Sequence, residues 1–460
     1  MIRSFVSLLL AGAAVCSAQP AAEVVWTARY VVTMDAARRV IADGAVAVGG
    51  GRIAAAGPRA AILQRYPAAR RLDRPDAILM PGLINAHTHA PMSLFRGLAD
   101  DLRLQDWLEK YIFPAEAKCV EPEFVRWGTR LACLEMMLGG VTTYADMYYF
   151  EEVVAEATRE AGLRGILGQT IINLKVPDAA TPAEGLRRAE AFLRRYRDDP
   201  LITPAVAPHA MYTNTEESLK ASRALANRYG APLLLHLSET KAENDEARAK
   251  WRMSPAERLD SLGVFDGITL AAHAVHAGAG DRRILRAKNV GVAHCPSSNT
   301  KLASGVAPVV AMLEAGIAAG LGTDGPAGSN NDFNLFEEMD LAAKLQKVTT
   351  GDPRALPARQ ALEMATVLGA RAVGLEKEIG SLEPGKRADL IMLRLNAPHS
   401  APMFDVYSAI VYAAKASDVS DVMVNGRVIV SDRKPLTLDA ARVMDKAREY
   451  QERIRALVRP

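Results

Sequence analysis

The sequence predicts an α/β fold, a (β/α)8 TIM-type barrel with a small β-sandwich built from the N- and C-terminal segments. Three observations carry that reading. Eight apolar runs of strand length follow one another through residues 81–384, most of them separated by helix-length amphipathic stretches. Near-continuous apolar strands alternating with helices belong in a parallel sheet covered on both faces. Several runs stop abruptly at a His or Asp, and the C-terminal ends of the strands are where such a barrel places its chemistry. The two ends of the chain carry only short strand-like pieces punctuated by glycine, which suits a separate small β-structure.

In chain order, residues 1–18 read as a secretory signal: Arg3, an apolar stretch from Phe5 to Val15, then Cys16-Ser17-Ala18. The expected result is an exported, periplasmic protein cleaved near Ala18, with lipidation at Cys16 or an unprocessed cytoplasmic N-terminus as the alternatives. The stretch is too short for a permanent membrane anchor. Residues 19–80 form the first half of the sandwich, with strand pieces at Val24–Trp26, Val31–Met34, Ala45–Val48 and Ile53–Ala56, then 70–80. The barrel strands are expected at Gly82–His87, Val141–Met147, Arg164–Thr170, Leu201–His209, Leu233–His236, Ile268–His273, Val290–His294 and Ile317–Asp324. Helices are expected over 121–139, 151–161, 183–197, 215–229, 241–263, 279–288 and 306–315. Residues 385–436 complete the sandwich, with Asn425-Gly426 as a hairpin signal between two β-branched runs. The tail, 437–460, reads as a charged amphipathic helix from Asp439 to Val458.

Composition narrows the partners. Apolar residues make up 49%, charged residues 24%, and the net charge is +3, which favours neither nucleic acid nor a membrane surface. A small-molecule substrate and no integral membrane span are expected, with the assembly open between monomer and homo-oligomer. After removal of the signal, Cys119, Cys133 and Cys295 remain, an odd number that does not suggest a disulfide framework.

The chain has eight histidines, and two of them stand as His87-Thr88-His89 at the end of an apolar strand. Residues i and i+2 of a strand share a face, so both imidazoles converge on one point. His236 ends the fifth run, His273 the sixth, and Asp324 the eighth. Three imidazoles (His87, His89, His236) and the Asp324 carboxylate suit one divalent ion, Zn²⁺ first and Fe²⁺ or Mn²⁺ as alternatives. Such an ion lowers the pKa of its water from about 15.7 to about 7. Glu239 lies three residues after His236, where it can carry a proton, and His273 can polarise the substrate or steady the nucleophile. Gly320-Leu321-Gly322-Thr323-Asp324-Gly325 mimics a dinucleotide fingerprint, but the loop Pro326–Asn331 follows where that motif requires a helix. The His-x-Glu/Pro-Cys-x-x-Cys deaminase pattern is absent from the sequence.

The run Pro81-Gly82-Leu83-Ile84-Asn85-Ala86-His87-Thr88-His89 resembles the amidohydrolase superfamily. So do His236-Leu237-Ser238-Glu239-Thr240, Ala272-His273, His294-Cys295-Pro296-Ser297-Ser298-Asn299 and Gly322-Thr323-Asp324-Gly325. Within it the chain is similar to the methylthioadenosine/S-adenosylhomocysteine deaminases and the triazine chlorohydrolases, from about residue 23 to the 430s. The resemblance implies a mononuclear metal site and hydrolytic attack on a ring carbon of an adenine nucleoside, with release of ammonia. It implies His87, His89, His236 and Asp324 as ligands, Asp324 also as a catalytic group, Glu239 as proton shuttle and His273 as its partner. It further implies that His209 approaches the sugar and that Glu116 accepts from ribose hydroxyls. Trp107 is expected either to stack on a purine or to serve as core, and His294 to donate to a ring nitrogen. The alternatives are a hydrolase of the same architecture with another leaving group (guanine deaminase-like or triazine chlorohydrolase-like) and, more remotely, a non-catalytic binding module.

Overall fold

The computed structural model describes residues 22–458, so the expected signal segment at residues 1–18 lies outside the described residues. Eight parallel strands close into a barrel: Leu83–Thr88, Val141–Tyr148, Arg164–Ile171, Ile202–Pro208, Leu233–Leu237, Thr269–His273, Gly291–His294 and Ala319–Leu321. The eighth returns to the first at Leu321 and Asn85. Seven of the eight strands are buried along their whole length, because one face fills the barrel and the other meets the helices. All eight expected strands are therefore present, with ends shifted by a residue or a few.

Local signals explain where the helices begin. Thr181, Thr215 and Thr240 each accept a hydrogen bond from the backbone N–H three residues on, capping Pro182–Tyr196, Glu216–Tyr229 and Lys241–Trp251. The single helix expected over 241–263 is two. Arg252 takes a left-handed φ of 59°, and Ser254-Pro255 starts a second helix, Pro255–Ser261. Further helices at Leu335–Thr350, Ala358–Met364 and Val367–Ala372 follow the eighth strand. The tail helix, Ala440–Leu457, sets Tyr450 edge-on to Phe124, with ring centroids 5.8 Å apart. Among the described residues, no helix is long and apolar enough to cross a membrane.

The ends of the chain join as expected, in one mixed sheet of eight strands. Val24–Val32 is a single strand, parallel to Arg70–Pro81, and the register shifts between Ala28 and Tyr30. Leu390–Arg394 then pairs antiparallel with Arg70–Pro81, Ile391 opposite Met80. Asn425 and Gly426, both at positive φ, turn the hairpin between Val419–Val424 and Arg427–Ser431.

One buried ion pair fastens this sheet to the barrel. Arg164, opening the third barrel strand, donates Nε and Nη2 to the two Asp389 carboxylate oxygens at 3.0 and 3.2 Å. The backbone N–H of Asn425 donates to the same carboxylate at 2.7 Å. The pair's side chains are only 7% and 3% exposed, so losing one partner strands a buried charge. Asp389→Ala is expected to lower stability by about 3–5 kcal/mol, read from the urea midpoint at an unchanged slope. A shift below about 1 kcal/mol would show that solvent reaches Arg164.

Candidate active site

The rare residues gather at the C-terminal mouth of the barrel. His87 and His89 close the first strand, His236 lies in the fifth, His273 ends the sixth, and Asp324 stands just beyond the eighth. One ligand atom from each of His87, His236, His273 and Asp324 lies within 4.8 Å of the others. His89 Nε2 and His87 Nε2 are 3.3 and 3.4 Å from Asp324 Oδ1. The four ligand positions read from the sequence thus come together, and His273 joins the same cluster.

The backbone sets which nitrogens face inward. His89 Nδ1 is 2.7 Å from the Met147 carbonyl, and His236 Nδ1 is 2.8 Å from the His209 carbonyl. A carbonyl only accepts, so Nδ1 carries a proton in both rings and Nε2 is the nitrogen that faces the cluster. His273 and Asp324 have φ of 70° and 63°, with Ser238 and Ala274 also at positive φ. Such left-handed conformations cost non-glycine residues roughly 1–3 kcal/mol each and tend to gather at functional sites. Two glycines beside Asp324 meet a close-approach requirement: a Cβ on Gly322 would lie 2.9 Å from the His87 Cβ, and one on Gly325 3.1 Å from His89 Cδ2. The Gly-x-x-Gly end of the run that mimics a nucleotide fingerprint, Gly322 to Gly325, is explained by this crowding.

Charge balance tests whether the residues fit an ion. Burial drives the His87 imidazole down to about 4 and His236 well below its usual range, the neighbouring imidazoles adding to the effect. Burial also works to neutralise Asp324, but the imidazoles of His87 and His89 set against its Oδ1 outweigh it and hold the carboxyl well below its usual range. His89 is raised to about 9, the Asp324 hydrogen bond overcoming the opposite effect of burial. The buried Asp324 carboxylate draws positive charge toward its neighbours, and His87 Nε2 is buried without a hydrogen-bond partner. Three imidazoles, one carboxylate and an unpartnered nitrogen fit a divalent ion.

Glu239 is held by the helix that follows it. The Glu243 carboxylate accepts from the N–H groups of Ser238 (3.0 Å) and Glu239 (2.8 Å), pinning the turn at the helix entrance. Glu239 Oε2 lies 3.8 Å from His273 Nε2, while Oε1 is buried and unpartnered. Burial raises this carboxyl above its usual range, so it is suited to hold a proton.

Glu239, His273, Asp324, His89 and His236 line one cavity together with Glu116, His209 and Trp107. Glu116 is 4% exposed, and burial raises it to about 7; Tyr149 donates to its Oε2 at 3.4 Å. His209, lowered to about 3 by burial, rests its Nδ1 3.0 Å from Thr213 Oγ1. Trp107 is buried in the cavity wall, and its indole N–H donates to the Ala327 carbonyl at 2.9 Å. His294 is not among the residues that line the cavity: it is fully buried, with both ring nitrogens unpartnered. Its strand, Gly291–His294, is followed after one residue by the helix Pro296–Lys301.

Supporting residues emerge that had no assigned role. Ser298 Oγ donates to Asp324 Oδ2 at 2.7 Å, and Asn299 Oδ1 accepts from His273 Nδ1 at 2.9 Å. Their place directly after a histidine-ending strand was the available signal. Asp146 Oδ1 accepts from the Ala90 N–H at 2.5 Å, bracing the turn after His89.

Comparison with known proteins agrees with this geometry. The profile of the Amidohydrolase family matches residues 78–429, and that of a bacterial imidazolonepropionase-like composite domain matches 44–69. A 5-methylthioadenosine/S-adenosylhomocysteine deaminase from Thermodesulfovibrio yellowstonii is 44% identical over 93% of this chain and 98% of its own. The structure of an adenosine deaminase from Xanthomonas campestris with bound zinc superposes with a TM-score of 0.93 at 40% identity, covering 95% of this chain and all of that one. An atrazine chlorohydrolase from Arthrobacter aurescens complexed with zinc gives 0.86 at 25% identity, over 93% and 100% of the two chains.

Proposed function

The chain belongs to the amidohydrolase family, and from that premise we propose that it deaminates adenine nucleosides in a metal-dependent hydrolysis. The observation that carries this reading is the single cavity that holds both the His/Asp cluster with Glu239 and, in its wall, the buried carboxylate of Glu116. His87, His89, His236 and Asp324 would hold the ion, with zinc favoured by the two zinc-bound structures to which the chain is similar. When bound, the ion supplies Lewis acidity that makes water nucleophilic near neutral pH.

The remaining chemistry belongs to the side chains. Water adds to the ring carbon that bears the amino group, and ammonia leaves, so the nucleoside exchanges one C–N bond for a carbon–oxygen bond. Glu239 takes the water's proton at its unpartnered Oε1 and returns it toward the departing nitrogen. His273, steadied by Asn299, faces Glu239 and holds the water in line. Glu116 accepts from the ribose hydroxyls, with Tyr149 orienting it. The walls of Trp107, Leu108 and Ile112 exclude bulk water from the base.

Ammonia release by metal-loaded protein across adenosine, methylthioadenosine, guanine and chlorotriazines tests the reading. The nucleosides are expected to lead, and better turnover of guanine or a chlorotriazine would overturn it. Glu116→Ala provides a second test. Hydrogen bonds to a charged group contribute about 1.5–3 kcal/mol each, so kcat/KM for a ribonucleoside should fall roughly tenfold to a hundredfold or more. The preference over the 2′-deoxy form should vanish with it, and metal content should stay constant. A silent Glu116→Ala would remove this residue from sugar recognition.

A further inference from the structure

The charge of the cavity wall limits what can hang from the 5′ carbon of the sugar. Among the described residues, no lysine or arginine lines the cavity. Away from the histidines, its ionisable groups are the carboxyls Glu116, Glu239 and Asp324 and three tyrosines, Tyr148, Tyr149 and Tyr212. Its remaining wall is largely apolar, with Met92, Leu104, Leu108, Ile112 and Phe113 side by side.

The neighbouring cations Lys110, Arg103 and Arg188 are paired with carboxylates or exposed to solvent. Lys110, on the segment that supplies Leu108 and Ile112, is exposed and paired with Asp106 at 2.5 Å. Arg103, just before Leu104, is exposed. Arg188 lies over the Phe150 ring, next in sequence to Tyr149, at 5.2 Å from its centroid. It is already bound to Glu152 at 2.8 Å and to Asp178 at 3.4 Å. Two carboxylates thus surround the Arg188 guanidinium.

The relative from Thermodesulfovibrio carries in its name two substrates that differ at this position. Methylthioadenosine ends in an uncharged methyl thioether, whereas S-adenosylhomocysteine ends in an amino acid with a free carboxylate. Bringing that carboxylate against an apolar, acid-bearing wall strips its water and offers no cation in return. We infer that this cavity takes adenine nucleosides with an uncharged 5′ substituent, such as hydroxyl or methylthio, and refuses those whose 5′ substituent ends in a carboxylate. The inference rests on the nucleoside deaminase reading and goes beyond it by choosing between substrate classes.

The test compares kcat/KM for ammonia release from three compounds with the metal-loaded, full-length protein: methylthioadenosine, S-adenosylhomocysteine and 5′-butylthioadenosine. The last is uncharged and close to the homocysteine derivative in length, so it separates charge from size. Methylthio and butylthio compounds are expected within about tenfold of each other, and S-adenosylhomocysteine at least about a hundredfold below both. S-adenosylhomocysteine within tenfold of methylthioadenosine would overturn the inference and leave the deaminase reading intact. A butylthio compound as poor as S-adenosylhomocysteine would also overturn it, since length would then be the limit. If none of the three released ammonia while guanine or a chlorotriazine turned over, the deaminase reading itself would fall, and this inference with it.

Discussion

Glu239→Gln is expected to keep its ion, bind nucleoside with a near-normal dissociation constant, and lose at least about 10²-fold in turnover. The expectation follows from position. Glu239 is set against His273, its nearer oxygen 3.8 Å from Nε2, and is not one of the four expected ligands His87, His89, His236 and Asp324. Its backbone is fixed by Glu243, so an amide of the same size leaves the turn unchanged. What glutamine cannot do is take a proton and give it back. Turnover near that of the parent protein would take Glu239 out of the mechanism. Loss of the ion in elemental analysis would instead make it a ligand.

Asp324→Ala is expected to lose both ion and activity, and a graded partner makes the result interpretable. Asp324 Oδ1 faces His87 and His89, while Ser298 donates to Oδ2 and Thr88 Oγ1 donates to the Asp324 carbonyl. Removing an outer hydrogen-bond partner of a metal ligand weakens metal binding by about 10–100-fold, so Ser298→Ala should lie in that range. Asp324→Ala should exceed it, because it removes a ligand and leaves the imidazoles without a counter-charge. Chelator competition followed by elemental analysis measures both. Equal affinities for the two variants, or an ion retained by Asp324→Ala in chelator, would show that the carboxylate is not part of the centre.

How much of this was legible in the chain depends on which neighbours each residue answers to. The barrel strands announce themselves because both faces are buried, which leaves an unbroken apolar run such as Leu233-Leu234-Leu235. The convergence of His87, His89, His236 and Asp324 was legible because rare polar residues end those runs. The segment after His89 was not. It winds through a 3₁₀ turn at Ala90–Phe95 and helical turns at Leu104–Asp106, Trp107–Ile112 and Phe113–Cys119, the middle one a π-helix. Its apolar residues face the cavity as well as the core, which erases one-sided periodicity. Likewise Tyr149 meets Glu116 and Ser298 meets Asp324 only through tertiary packing. His294 shares the strand-end signature of the other histidines and yet is not among the residues lining the cavity, because a strand end fixes the height of a side chain in the barrel and not its neighbours.

The seam between Arg70–Pro81 and Leu390–Arg394 also has a consequence for how the molecule is made. The first strands leave the ribosome with their edge at Ile78 and Met80 unpaired, and the partners Leu393 and Ile391 are added only after the whole barrel has been synthesised. At about 5–20 residues per second, that interval is on the order of 15–60 s. Throughout it, an apolar strand edge stays open to pairing with any other extended chain. Deletions that remove Leu390–Arg394 should therefore yield insoluble nascent chains rather than a free barrel, and holding chaperones should matter most during this single stretch of translation.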